Sequence, residues 1–113
     1  MATDIRITRA QGTWSVRSGG AVLVESNNAL ELTEGSYPPA IYFQREDIAM
    51  SFLDPSDTTS SCPHKGTATY FSIAGKSGTI KDAGWSYEAP LDDVAGIKGH
   101  IAFYTDKVTV EQL

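Results

Sequence analysis

Between Asp57 and Phe71 the chain reads DTTSSCPHKGTATYF, and this stretch holds its only cysteine, one of its two histidines and a lysine, grouped as Cys62-Pro63-His64-Lys65-Gly66. A thiol becomes a nucleophile when nearby cations or backbone amides favour its thiolate. His64 and Lys65 supply the cations, and Pro63 holds the residue before it extended. In an extended chain residues two apart share a face and neighbours oppose. Cys62 and His64 are therefore expected on one side as a nucleophile and its proton acceptor, with Lys65 aimed elsewhere. The purely structural alternative is a small apolar thiol packed under a loop, with Lys65 solvated. Lys65-Gly66 also suits an anion cradle, in which a lysine and permissive backbone meet a phosphate or carboxylate. A metal site would need more than Cys62-x-His64, since His100, Asp54, Asp57 or Glu88 would have to complete it through the fold. No metal and no cofactor is assigned.

Two further groups of residues could serve a site. In GWSYE, alternation puts Trp85 and Tyr87 on one face and Ser86 and Glu88 on the other. Such an aromatic pair is either a pocket wall or core. In Arg45-Glu46-Asp47, Arg45 could orient a ligand carboxylate, although surface pairing is the commoner fate of such a triplet. Lys65, Arg45, Trp85, Tyr87 and Glu88 are the candidate ligand-binding residues, and Cys62 and His64 the candidate catalytic ones.

The elements that must position these residues alternate with period two. Ile5 and Ile7 in DIRITRA share a face, as do Trp14 and Val16 in TWSVRS. Ser18-Gly19-Gly20 supplies the positive-φ residues of a tight turn, so residues 12–25 predict a hairpin. Asn27-Asn28 predicts a second turn before ALELTE, and the prolines of EGSYPPA a loop before the strand IYFQ. REDIAMSFLD reads as one helical turn followed by a strand through Met50 and Phe52. PSDTTSSCPHKG reads as a long polar loop, TATYFSIA as a strand closed by the turn GKSG, and AGWSYEAP as a short strand ended by Pro90. LDDVAGI predicts one helical turn, and HIAFYTDKVTVEQL a closing strand pair hinged at Thr105-Asp106. No segment sustains a 3.6-residue apolar period, so the class is all-β.

Composition agrees with one globular domain spanning residues 1–113. Hydrophobic residues make up 41% and charged residues 20% of 113, close to ordinary globular usage. A chain of this size buries roughly two thirds of its unfolded surface. The single cysteine excludes an internal disulfide and fits a reducing compartment. No apolar run approaches the roughly twenty residues of a membrane span, and the N-terminal residues lack the apolar core of a signal peptide. The expectation is a cytoplasmic protein. A net charge of −5 with scattered lysines and arginines argues against duplex nucleic acid as a partner.

Five separated blocks, in order, carry a resemblance: Arg45-Glu46-Asp47, Leu53-Asp54-Pro55-Ser56, Cys62 to Gly66, Trp85 to Pro90 and Ala102-Phe103-Tyr104. Together they closely resemble the bacterial family DUF427, over nearly the whole chain. The resemblance implies a β-tent (Mss4-like) arrangement of antiparallel sheets leaning together at one edge. Relatives in that group include methionine-sulfoxide reductases and zinc-binding modules, but their paired Cys-x-x-Cys knuckles are absent here. A nucleotidyltransferase-like label also attaches to the family. That chemistry needs Gly-Ser followed by an Asp-x-Asp pair, and although Gly35-Ser36 and Asp47 fit, Ala49 stands where the second carboxylate belongs.

The expected role is binding of a small anionic ligand in a pocket between the sheets near Cys62-Gly66. The alternatives are a cysteine-dependent enzyme using Cys62 with His64, and a protein-interaction module using an exposed sheet edge. Exposed edges also leave a homodimer open.

Overall fold

The computed structural model describes residues 4–76 and 78–113. Ten strands form two antiparallel sheets. In chain order they are β1 (Ile5–Arg9), β2 (Trp14–Ser18), β3 (Ala21–Ser26), β4 (Leu30–Glu34), β5 (Ala40–Phe43), β6 (Leu53–Cys62), β7 (Gly66–Gly75), β8 (Gly78–Tyr87), β9 (Ile101–Phe103) and β10 (Thr109–Gln112). A seven-stranded sheet runs β1-β4-β5-β9-β8-β7-β6, and a three-stranded sheet runs β10-β2-β3. Among the described residues there are also three short 3-10 turns: Arg45–Asp47, Met50–Phe52 and Asp92–Ile97. No helix among the described residues is long and apolar enough to cross a membrane.

The two faces of the large sheet bury different things. Val16, Leu23 and Val24 from the small sheet meet Phe43, Phe71, Ile73, Ile101 and Phe103 from the large one in an apolar core. The opposite face carries Leu32, Tyr42, Ala68, Tyr87 and Ala102, covered in part by Val94 and Ile97 of the Asp92–Ile97 turn. Alternation along each strand produces this split: Tyr42 and Ala102 face outward while their neighbours Phe43, Ile101 and Phe103 face the small sheet.

The predicted all-β class holds, as do the hairpin turning at Gly19 (φ 60°), the strand after Asn27-Asn28 and the helical turn over LDDVAGI. The turn predicted over GKSG is bracketed by the Gly75–Gly78 pair, but Ser77 lies outside the described residues.

Four expectations are corrected. The polar loop over PSDTTSSC is instead part of the ten-residue strand β6, at the sheet edge. An edge strand with little apolar burial shows no hydrophobic alternation, and it tolerates Pro55 and the register shift between Pro55 and Thr59. Met50 and Phe52 lie in a 3-10 turn, with the strand starting at Leu53. AGWSY, Ala83 to Tyr87, is the end of the ten-residue β8, and Glu88 lies beyond it. The closing strands do not pair with each other: the chain turns after Tyr104, β9 joins the large sheet between β5 and β8, and β10 joins the small one beside β2.

An irregularity in β8 anchors the edge strand. Asp82 has a φ of 52°, a left-handed conformation that Asp tolerates better than most residues. Its backbone N–H donates to Ser72 Oγ at 3.1 Å, and its carboxylate accepts from Ser56 Oγ at 2.6 Å and Thr58 Oγ1 at 2.7 Å. Those two hydroxyls hold the carboxyl of Asp82 below the usual aspartate range.

Candidate functional site

The hairpin joining β6 to β7 turns through Cys62-Pro63-His64-Lys65. The Lys65 N–H donates to the Cys62 carbonyl at 3.2 Å, which makes this a β-turn with proline in its favoured second position. Gly66 follows with a φ of 114°, a conformation that disfavours side chains, and a Cβ there would lie 3.4 Å from the Ala89 carbonyl. Lys65 O accepts from Leu91 N at 3.0 Å, tying the turn to the segment after β8.

Because the chain turns here, the two-residue alternation expected for Cys62 and His64 does not apply. Lys65, three residues on, folds back so that its Nζ lies 3.6 Å from Cys62 Sγ and donates to Glu34 Oε1 at 2.6 Å. Both ion-pair side chains are mostly covered, at 13% and 18% exposure. Burial works against the lysine charge, but the Glu34 hydrogen bond and the proximity of Cys62 outweigh it, and the Lys65 pKa is raised. His64 is exposed on the turn.

Beside this pair a recess of about 240 Å³ opens on the outer face of the large sheet. Register explains how its aromatic floor forms. Leu30, Tyr42, Ala102, Trp85 and Tyr70 lie opposite one another across β4, β5, β9, β8 and β7. The small Ala102 sits between Tyr42 and Trp85, and the indole Nε1–H reaches across it to donate to Tyr42 Oη at 3.0 Å, with the rings edge to face at 6.2 Å. Tyr104 packs on Trp85 with centroids 4.5 Å apart and stacks on Tyr70 at 6.4 Å. Tyr104 Oη donates to Tyr70 Oη at 3.4 Å, and Tyr70 Oη also bonds Ser60 Oγ at 2.9 Å.

All five tyrosines of the chain (Tyr37, Tyr42, Tyr70, Tyr87 and Tyr104) line this one recess, together with Trp85, Lys65 and Glu34. Desolvation raises the pKa values of Tyr42, Tyr87 and Tyr104, so these phenols remain protonated donors at neutral pH. Tyr87 is 7% exposed, and its hydroxyl makes no hydrogen bond to any described residue.

Of the candidates named from sequence, Lys65, Trp85 and Tyr87 are brought together here, with Cys62 adjoining through Lys65. The recess is not between the sheets, as expected, but on the face turned away from the small sheet; near these residues the space between sheets is filled by the apolar core. Arg45 and Glu88 are placed apart from it. They pair with each other, Arg45 Nε donates to Gly99 O at 2.8 Å, and the guanidinium sits 5.3 Å from the Phe71 ring centroid on the inner face. Asp47 accepts from Ser26 Oγ at 2.6 Å and Gln44 Nε2 at 2.9 Å.

Sequence reading missed Glu34, Tyr42, Tyr70 and Tyr104. One signal was available for Glu34, which continues the face of Leu30 and Leu32. The tyrosines meet only through the register of strands distant in sequence. Among the described residues no group of three or more His, Cys, Asp or Glu side chains is placed to hold a metal ion.

A family model described as a domain of unknown function, DUF427, matches residues 6–112. No curated protein matches the chain.

Proposed function

We propose, from the premise that the chain belongs to the DUF427 family, that it is a single-domain binding protein for a small anionic ligand, with the aromatic recess on the outer face of the large sheet as its site. The observation that carries this reading is the convergence of Lys65, Trp85 and Tyr87 with four further tyrosines on one recess of about 240 Å³. Small-molecule sites combine apolar and aromatic walls with a few placed polar groups, and this recess has that composition. Its uncommitted donors favour an acceptor-rich ligand. Lys65 has three N–H groups, of which one serves Glu34 and one is directed at Cys62 Sγ, while the Tyr42 hydroxyl accepts from Trp85 and keeps its proton to donate.

The chain contains two tryptophans, and each indole N–H has a different partner: Trp14 Nε1 donates to Gln11 O at 2.9 Å, Trp85 Nε1 to Tyr42 Oη. Indole cross-peaks in a ¹H–¹⁵N spectrum therefore carry their own control. Titration with benzoate, acetate and inorganic phosphate is expected to move the Trp85 peak saturably with at least one anion and leave the Trp14 peak in place. A Trp85 peak that no anion moves would overturn the reading.

A second reading, a cysteine-dependent enzyme, is favoured by one observation, the 3.6 Å contact between Lys65 Nζ and Cys62 Sγ. A neighbouring ammonium stabilises a thiolate. In this reading Cys62 is the nucleophile, Lys65 holds its charge, and His64, exposed on the same turn, is the proton acceptor. Iodoacetamide alkylation of Cys62 in the folded protein is then faster than in the Lys65→Met variant at neutral pH; equal rates in the two would count against it.

A further inference from the structure

Lys65 is the only cationic side chain lining the recess among the described residues, and Glu34 already holds it. The two formal charges cancel in a place where both side chains are mostly covered. An acid group arriving beside Lys65 meets a second carboxylate on the same ammonium. Two carboxyl groups sharing one site do not both stay ionised, and one of them binds a proton. Resting on the anion-binding reading of this recess, we infer that its ligand is a monocyclic aromatic acid taken up together with one proton, which Glu34 accepts so that its carboxyl group and the ligand carboxylate share Lys65.

Size and lining select the ring. The recess, about 240 Å³, is smaller than the ~300–1,000 Å³ of sites for drug-sized molecules, and it suits one substituted ring. Its walls are five phenols and an indole, whose faces and edges pair favourably with another aromatic ring. Donors select the acid. The Tyr87 side chain is 7% exposed and lines the recess, its hydroxyl has no described partner, and desolvation keeps it protonated, so it is available to a ligand oxygen. A neutral ring would displace water from this donor and from the remaining Lys65 N–H without offering either an acceptor, and donors left unmet oppose binding.

The groups around Glu34 leave it as the proton's destination. Lys65 and Cys62 face it from the β6–β7 turn, where His64 is exposed; Tyr42 faces it from β5, Tyr87 from β8, and Tyr70 lies beyond Tyr87 on β7. Tyr37 lies at the rim on the loop after β4, and Asp4, just before β1, pairs with Arg6 of that strand at the surface, 3.6 Å apart. Glu34 is thus the one carboxylate lining the recess among the described residues.

Calorimetric titration with benzoate, at one pH in two buffers of unequal ionisation enthalpy, reads the proton directly. The expected result is uptake of about one proton per benzoate, with apparent affinity falling about tenfold per pH unit above neutrality. Glu34→Gln should bind benzoate with no uptake and no pH dependence. The Trp14 indole peak reports whether that variant is folded, and the wild-type uptake stands as a test if it is not. Binding of benzoate without proton uptake, or uptake that persists in folded Glu34→Gln, overturns the inference and leaves the anion site intact. Acetate binding as tightly as benzoate overturns the aromatic assignment alone. If neither benzoate, acetate nor phosphate moves the Trp85 peak, the anion site and the inference fall together.

Discussion

The inner and outer faces of the seven-stranded sheet are built from the same strands, yet they do opposite things. On the inner face Phe43, Ile101, Phe71 and Phe103 interdigitate with Val16 and Val24 of the small sheet, and polar atoms are nearly excluded. On the outer face the side chains one residue away along the same strands are Tyr42, Ala102 and Tyr70, with Trp85 and Tyr87 on β8, each tyrosine or tryptophan ending in a polar tip. The turn at Asp92–Ile97 covers only part of that face through Val94 and Ile97. Where coverage stops, the aromatic bodies still pack against one another while their hydroxyls and the Lys65–Glu34 pair line an open recess. One face of a sheet is thus packed shut while the other, at a spacing of one residue, stays partly open as the proposed binding site.

Substitutions on the two faces should separate these roles. The largest effect is expected for Phe43→Ala, at a site with no solvent exposure. Loss of a buried aromatic ring costs about 3–5 kcal/mol, read as a lower denaturant midpoint, while anion titration of the remaining folded protein still moves the Trp85 peak. Survival of full stability in Phe43→Ala would break the assignment of the inner face as the stabilising one.

Lys65→Met should come next. It leaves Glu34 without its cation; since the pair is mostly but not fully covered, the cost is about 2 kcal/mol, below the ~3–5 kcal/mol of a fully buried pair. The pH dependence has a definite sign. The folded pKa of Lys65 is raised above its ordinary 10.5, so its contribution is complete below 10.5 and is lost as pH rises through the folded value. Urea unfolding of wild type and Lys65→Met should therefore differ by a constant amount from neutrality to about pH 10 and converge above it. Convergence below pH 9 would contradict the pairing.

The smallest change expected is Tyr42→Phe, which keeps the ring and removes only the acceptor of the Trp85 indole. About 1 kcal/mol of stability and an upfield shift of the Trp85 indole proton are expected, with the Trp14 peak unmoved. An unchanged Trp85 peak would remove that hydrogen bond from the description of the recess.

Much of the strand pattern was legible in the sequence because half-buried strands show alternation. Trp85 and Tyr87 were placed on one face and Ser86 and Glu88 on the other, and the structure has them so. β6 was not legible for the complementary reason. Apart from Pro55 its residues from Asp54 to Ser61 are polar, and an edge strand with both faces largely open leaves no apolar period to read. Lys65 was assigned the wrong direction because alternation holds only while the chain stays extended, and the chain turns at Pro63. The recess was expected between the sheets because a two-sheet protein has its obvious interior there; beneath the candidate residues that interior is filled by Phe and Val side chains, and the cavity of about 530 Å³ that opens between Leu23 and Ile73 and Ile80 is lined by none of them.

What the amino-acid sequence determined by itself is therefore local: strand periodicity, the turn at Gly19, the all-β class, and a short set of residues around Cys62 and Trp85. The pairing of Lys65 with Glu34, 31 residues away, and the gathering of Tyr42, Tyr70 and Tyr104 around Trp85 were decided by tertiary structure alone. Those contacts depend on which strands become neighbours and in what register. That choice is made by burying one face of every strand at once, a collective balance that no single segment encodes.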